Sequence, residues 1–328
     1  MSNPSAPRLT NRWIGPGLAL VSFLIAGSLA TVVYQRWRSS DARELTSAQQ
    51  DHIVSFSELS THREVELLSF PATERFEDVP RFKAQLNEWR VRERPFSAEP
   101  KPDVFRVVAV GESSTFGTGL APNERFTDLL GEQLEERHPG CCEVLNAGRM
   151  GMTTPTAVRF VKEEVAAWRP SVLIYDTMAN DLADRDQAGM VKLSAQKLED
   201  YEARLTDLVA FCKKRNIRVV FWANTIARTG DLLMGFKVAM RRVASSSGAG
   251  YVDLGVLYAE APATPEEIEA FLAEPNWTQW FDVIHPPELA LERVALHIDW
   301  VHPNRFGSKR LAAGLLPLVE HALELEVR

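Results

Sequence analysis

Two stretches of the sequence hold side chains that could act together as a nucleophile and its base. Val110-Gly111-Glu112-Ser113-Ser114-Thr115-Phe116-Gly117 sets hydroxyls between glycines, and Asp299-Trp300-Val301-His302-Pro303-Asn304-Arg305-Phe306-Gly307 sets a carboxylate three residues before an imidazole. A serine hydroxyl is a weak nucleophile until a base takes its proton, and the usual base is a histidine oriented by a carboxylate. The spacing of Asp299 and His302 before a proline lets the carboxylate meet one ring nitrogen while the other faces a serine. Two further blocks, Leu145-Asn146-Ala147-Gly148 and Met178-Ala179-Asn180-Asp181, supply a glycine and a side-chain amide. Taken singly, each block has a plainer explanation. Ser and Thr are ordinary helix caps, Gly148 suits a turn, and Asn180 suits a cap. The Gly-x-Ser-x-Gly elbow does not apply, because Thr115 stands where its second glycine belongs.

These blocks need elements to position them. From Phe105 onward, short β-rich runs alternate with longer amphipathic stretches, which predicts parallel strands with crossover helices. The expected strands are Phe105–Val110, Cys142–Leu145, Ser171–Asp176, Arg218–Trp222 and Gly250–Leu254. The expected helices lie near Arg125–Arg137, Thr156–Trp168, Ala195–Lys214, Leu232–Ala244 and Ser308–Leu325. Five parallel strands wrapped by helices make a doubly wound α/β sheet, whose functional groups gather beyond the carboxyl ends of the strands. Ser113, Gly148 and Asn180 all follow such ends.

In that order and spacing, the four blocks resemble those of the SGNH hydrolases of the GDSL esterase family, over about Phe105 to the C-terminus. The resemblance implies a flavodoxin-like strand order, 2-1-3-4-5. It implies Ser113 as nucleophile, His302 as general base and then acid, and Asp299 as the group that fixes the imidazole tautomer. The oxyanion donors would be the backbone N–H groups of Ser113 and Gly148 and the side-chain amide of Asn180. No metal or cofactor is implied. Three departures stand out: Glu112 replaces the family's Asp, an exchange expected to alter packing more than chemistry; Met178 replaces a glycine; and Arg149 follows Gly148, either to read an anionic substrate or to point into solvent. Asp282-Val283-Ile284-His285-Pro286 repeats the carboxylate-imidazole spacing, but Asn304, Gly307 and a closing helix follow only the second copy.

The remainder of the chain sets the context. Its 37 Lys+Arg against 44 Asp+Glu leave a net charge of -7, which offers no extended positive field for nucleic acid. Three cysteines form no metal set, and buried thiols are expected over a single bridge from Cys141 or Cys142 to Cys212. Ile14–Tyr34 is uncharged over 21 residues, long enough to cross a bilayer as a helix, and Trp13, Tyr34 and Trp37 flank it. A cleaved signal peptide ending at Ser28-Leu29-Ala30 is the alternative, although apolar residues continue to Val33. The expected organisation is a leader (1–13), a transmembrane anchor (14–34), a helical stalk (35–102) closed by Pro95, Pro100 and Pro102, and the hydrolase domain (103–328).

Two segments bear on the substrate site. Leu232–Phe236 with Lys237, Arg241 and Arg242 reads as a core-facing helix rather than a lid or a lipid-touching surface. Asn276–Phe281 is aromatic-rich and suits either stacking on a sugar or plain packing. The resulting expectation is an extracytoplasmic, membrane-anchored esterase acting on an O-acyl ester, with acetyl groups of an envelope carbohydrate or a lipid as candidate substrates. The alternatives are an O-acyltransferase using the same site and a catalytically silent envelope-binding protein. A binding protein would not require Ser113, Asn180, Asp299 and His302 together.

Overall fold

The structure, a computed structural model, describes residues 64–68, 81–183, 194–225, 233–273, 295–297 and 302–325. The expected leader and anchor lie outside these residues, as do Asp282, His285, Asn276–Phe281 and Asp299. Among the described residues, no helix is long and apolar enough to cross a membrane.

The expected helical stalk contains strand instead. β1 (Glu64–Leu68) pairs antiparallel with β2 (Arg81–Gln85), Glu64 opposite Gln85 and Leu68 opposite Arg81. The reason is visible in the sequence: Glu-Val-Glu-Leu and Arg-Phe-Lys-Ala alternate charged with apolar residues, which is the period of a strand. The helix expected over Phe82–Val91 does not form: β2 takes its first residues and a turn follows. Asn87 Oδ1 accepts the N–H groups of Trp89 (3.0 Å) and Val91 (3.3 Å), forming a local turn that competes with helical bonding. Beyond this turn, Val91 and Phe96 are buried in the main core, and Trp89 and Phe96 both meet Trp168 edge to face. The domain's packing therefore begins well before the boundary expected at residue 103.

The main sheet holds β3 (Phe105–Gly111), β4 (Cys142–Asn146), β5 (Val172–Asp176), β6 (Arg218–Ala223) and β7 (Gly250–Asp253), all parallel, in the order β4-β3-β5-β6-β7. This is the expected 2-1-3-4-5 order. Both faces are covered, which is why these strands are near-continuous apolar runs. On one face Val108, Val110, Leu173, Tyr175 and Phe221 pack with helices α3 (Thr154–Glu163), α4 (Ala195–Lys213) and α5 (Met234–Ser247). On the other face Val107, Ala109, Ile174, Val220 and Trp222 pack with α2 (Phe126–Arg137), α6 (Leu254–Glu260) and α8 (Arg305–Leu323). A single-turn helix, α1 (Ser113–Phe116), follows β3, and α7 (Pro265–Ala273) follows α6. The sequence reading had not anticipated α6 or α7.

In α4 the buried stripe Tyr201, Leu205, Leu208 and Cys212 recurs at helical spacing, and the Ser194 hydroxyl caps the first turn by accepting the Lys197 N–H at 3.1 Å. α5 faces the core through Phe236, Ala239, Met240 and Val243, as expected. Cys141, Cys142 and Cys212 are free thiols. Gly111 pairs with Asp176 and Ala109 with Asn146, so β3, β4 and β5 end side by side at one edge. The chain leaves β3 for β4 and then returns to β5 on β3's other side. Such a reversal opens the crevice where sheets of this kind bind ligands.

Candidate active site

Ser113 is the first residue of α1, directly beyond β3, and Glu112 occupies the N-cap. A four-residue helix has little stability of its own, and side chains from distant parts of the chain hold this one. Asn146 at the end of β4 donates through Nδ2 to the Thr115 carbonyl (2.6 Å) and to Thr127 Oγ1 (3.0 Å). Arg92 reaches in from the segment before the sheet and donates to the carbonyls of Gly117 (2.7 Å) and Leu120 (2.6 Å). Asn224, following β6, donates through Nδ2 to Ser114 Oγ at 2.8 Å. Gly148 packs directly on the turn: a Cβ there would lie 2.6 Å from the Thr115 carbonyl carbon and closer still to the Phe116 nitrogen. Only glycine fits this backbone contact.

The base comes from the other end of the sequence. His302 Nε2 and Ser113 Oγ are 2.7 Å apart, across 189 positions of chain. With the ring proton placed on Nδ1, Nε2 accepts the serine hydroxyl proton. Asn304 anchors this loop. Its Oδ1 caps α8 by accepting the N–H groups of Phe306 (2.9 Å) and Gly307 (3.0 Å), and its Nδ2 donates to the Ala295 carbonyl at 2.7 Å. His297 is buried edge-on against Tyr258 at 5.1 Å, in the core.

The expected oxyanion donors are placed unequally. The N–H of Ser113 belongs to the first turn of α1, where helical N–H groups have no partner within the helix. Asn180 Nδ2 donates one hydrogen to the Met152 carbonyl at 3.1 Å and keeps a second. The single N–H of Gly148 donates to Asn146 Oδ1 at 3.0 Å, so it would serve an oxyanion only by sharing or releasing that bond.

The Arg149 guanidinium packs against the protein rather than extending into solvent. Its guanidinium lies 3.6 Å from the Phe160 ring centroid and reaches the Trp89 carbonyl and Glu164, each at 3.3 Å. Glu112 also departs from expectation. Instead of merely filling space, its carboxylate accepts the backbone N–H groups of Ala179 and Asn180. Burial, followed by the charge of Asp181, pushes this carboxyl up to about 7, against the opposing pull of the two N–H groups and His302. Asp176, at the end of β5, is fully buried with no hydrogen bond to either oxygen among the described residues, and burial holds it well above the carboxylate range. Asp181 is raised by burial too, although Thr154 donates to it through both N–H and hydroxyl.

The roles of Arg92, Asn146, Asn224 and Glu112 were not read from the sequence. The asparagines had a weak signal, each standing where an apolar strand ends, whereas Arg92 had none. Among the described residues, no cluster of histidine, cysteine or acidic side chains could hold a metal ion.

No family model matches the sequence, and no curated protein sequence matches it. Among solved structures, the chain is similar to an acetyl xylan esterase, AlAXEase, at 19% identity and TM-score 0.48, covering 66% of this chain and 100% of that one. It is similar to a catalytic mutant of Axe2, an acetylxylan esterase from Geobacillus stearothermophilus, at 18% identity and TM-score 0.48, covering 66% and 94%. It is also similar to TesA, at 15% identity and TM-score 0.45, covering 66% and 99%.

Proposed function

We propose that the chain is a serine esterase that hydrolyses an O-acyl ester through an acyl-enzyme. The observation that carries this reading is the 2.7 Å contact between Ser113 Oγ and His302 Nε2, at a helix start beside the sheet's topological reversal. In the first step Ser113 Oγ attacks the ester carbonyl while His302 Nε2 takes its proton. The carbonyl oxygen becomes an oxyanion facing the Ser113 N–H and the Asn180 amide. Collapse expels the alcohol, which leaves with the proton from His302. Water then gives a proton to His302 and attacks the acyl group, regenerating Ser113 and releasing the acid. Asp299, three residues before the base, remains the proposed tautomer-fixing group.

A cavity of about 260 Å³ lies beside Asn180. Its walls mix the polar Asp181, Lys197, Asp200 and Arg204 with the apolar Pro155 and Phe236. Charged groups that can bond hydroxyls beside an aromatic ring that can stack support a polyhydroxylated alcohol such as a carbohydrate. The uncharged run Ile14–Tyr34 supports an anchored domain outside the cytoplasm. Resistance of the full-length protein to carbonate extraction tests the anchor.

The test of activity offers aryl acetates and longer aryl esters to the purified protein. Chromophore release by the native chain, and its loss by several orders of magnitude in Ser113→Ala with unchanged melting temperature, is the expected result. Equal rates would remove the nucleophile assignment. Acetylated sugar forming at the expense of acetate, when oligosaccharide is added, would make the enzyme a transferase.

A further inference from the structure

Ser113 and Asn180 arrive from different strands, and one side chain ties them together. Glu112, immediately before the nucleophile, is 1% exposed. Its Oε1 accepts the Ala179 N–H at 3.1 Å and its Oε2 accepts the Asn180 N–H at 3.0 Å. Each carboxylate oxygen therefore holds one amide of the loop that carries the Asn180 side chain. A neutral amide of the same size could not reproduce this, because it has one acceptor oxygen and would turn a donor toward the second N–H.

We propose that Glu112 is a positioning residue for the reaction, its ionised carboxylate fixing the Asn180 amide relative to the Ser113 hydroxyl. The inference rests on the acyl-transfer reading above. The groups facing Glu112 decide where the negative charge resides. Asp176 on β5 and Asp181 beyond Asn180 disfavour more charge nearby, His302 favours it, Lys237 on α5 acts on Asp176, and the Tyr201 phenol on α4 is held neutral by burial and by these carboxyls. Of the two fully buried carboxyls, Asp176 has no donor among the described residues and Glu112 has two. Of these two, the negative charge therefore belongs to Glu112. The cost of burying it is offset by two oriented N–H groups, while a charge on Asp176 would have none.

The consequence is a proton-linked site. Glu112 must lose a proton to hold both amides, and His302 must be neutral to accept one from Ser113. As pH falls, protonation of either group removes activity, so the acid limb of log kcat/KM approaches a slope of two rather than one.

The experiment compares the native chain with Glu112→Gln and Glu112→Asp on an aryl ester between pH 5 and 9, with melting temperatures to confirm folding. Glu112→Gln is expected to lose tenfold to a hundredfold in kcat at pH 8, and its acid limb should relax to a slope of one. Glu112→Asp is expected to keep the steep limb, because the ionisable carboxylate remains. Full activity with an unchanged steep limb in Glu112→Gln overturns the proposal while leaving the esterase reading intact. Amide hydrogen exchange at Ala179 and Asn180 separates the two failures. It should rise at least tenfold in Glu112→Gln and stay constant in α8, whether or not the chain hydrolyses esters. No rise overturns the clamp. A native chain no faster than Ser113→Ala overturns the reading on which it rests, and with it the catalytic role given to Glu112.

Discussion

The two halves of the candidate site are held in opposite ways. The nucleophile turn, α1, is one helical turn fixed from outside by Arg92, Asn146, Asn224 and the close approach of Gly148, groups spread along the chain from before the sheet to beyond β6. The base loop is held locally: Asn304, two residues after His302, caps α8 and ties the loop to Ala295, and a single bridge joins His297 to Pro303. Among the described residues, the nucleophile's supports are therefore spread through the tertiary fold, while those seen for the base loop gather around one helix cap. Damage to the first should reduce stability and rate together, whereas damage to the second should fall mainly on rate.

The largest effect is expected at Gly148→Ala. The added methyl would meet the backbone of Thr115 and Phe116, which cannot swing aside as a flexible side chain would. Overpacking of this kind costs about 3 kcal/mol and shifts the turn, and a displacement on the order of 1 Å can lower the rate about a hundredfold. Denaturant midpoints and ester hydrolysis measured together check this. A variant of native stability and rate would mean that the turn is less constrained than its contacts imply.

At the other half, Asn304→Ala removes the α8 cap and the bond to the Ala295 carbonyl, for about 1–2 kcal/mol of stability. The rate should fall about tenfold to a hundredfold, because the segment that carries His302 loses a tether. Asn304→Ser, which restores a cap but not the tether, should recover most of the stability and little of the rate. Recovery of both would show that the cap alone positions the base, and would erase the proposed contrast.

What the sequence made legible follows from the same contrast. Strands buried on both faces announce themselves as apolar runs, so the five main strands could be anticipated within a residue or two, while their order was implied by the resemblance of the four blocks. His302 and Asn304 were legible because they stand close together in one sequence block, whereas Asp299 lies outside the described residues. The supports of the nucleophile turn were not. Arg92 sits in a charge-dense stretch that looks solvated, and its partners are main-chain carbonyls, which no side-chain pattern marks. The engagement of the Gly148 N–H with Asn146 depends on the local direction of the backbone, and residue type does not fix that direction. The error over Glu64–Leu68 and Arg81–Gln85 has a different origin: alternation over five residues is short enough to be taken for part of a helical stripe.

The smallest effect is expected at Arg149, which is adjacent to Gly148 yet belongs to neither half of the site. Its guanidinium stacks on Phe160 and pairs with Glu164, whose side chain is 47% exposed, and burial lowers its pKa while Glu164 opposes that shift. An exposed ion pair contributes about 0–1 kcal/mol and a stacked cation about 0.5–1 kcal/mol, so little is at stake. Met in its place keeps an unbranched stem and a favourable sulfur contact with the ring. Arg149→Met should therefore lower the melting temperature by only about 2–4 °C, on the scale of 1 kcal/mol in a domain of this size. It should leave kcat and KM unchanged for neutral and anionic aryl esters alike. A KM that rises tenfold for the anionic ester alone would return the guanidinium to the substrate and show that it leaves Phe160 when an anion binds. Unchanged constants would place Arg149 in the packing of α3 and confine the nucleophile's support to the groups that contact its turn.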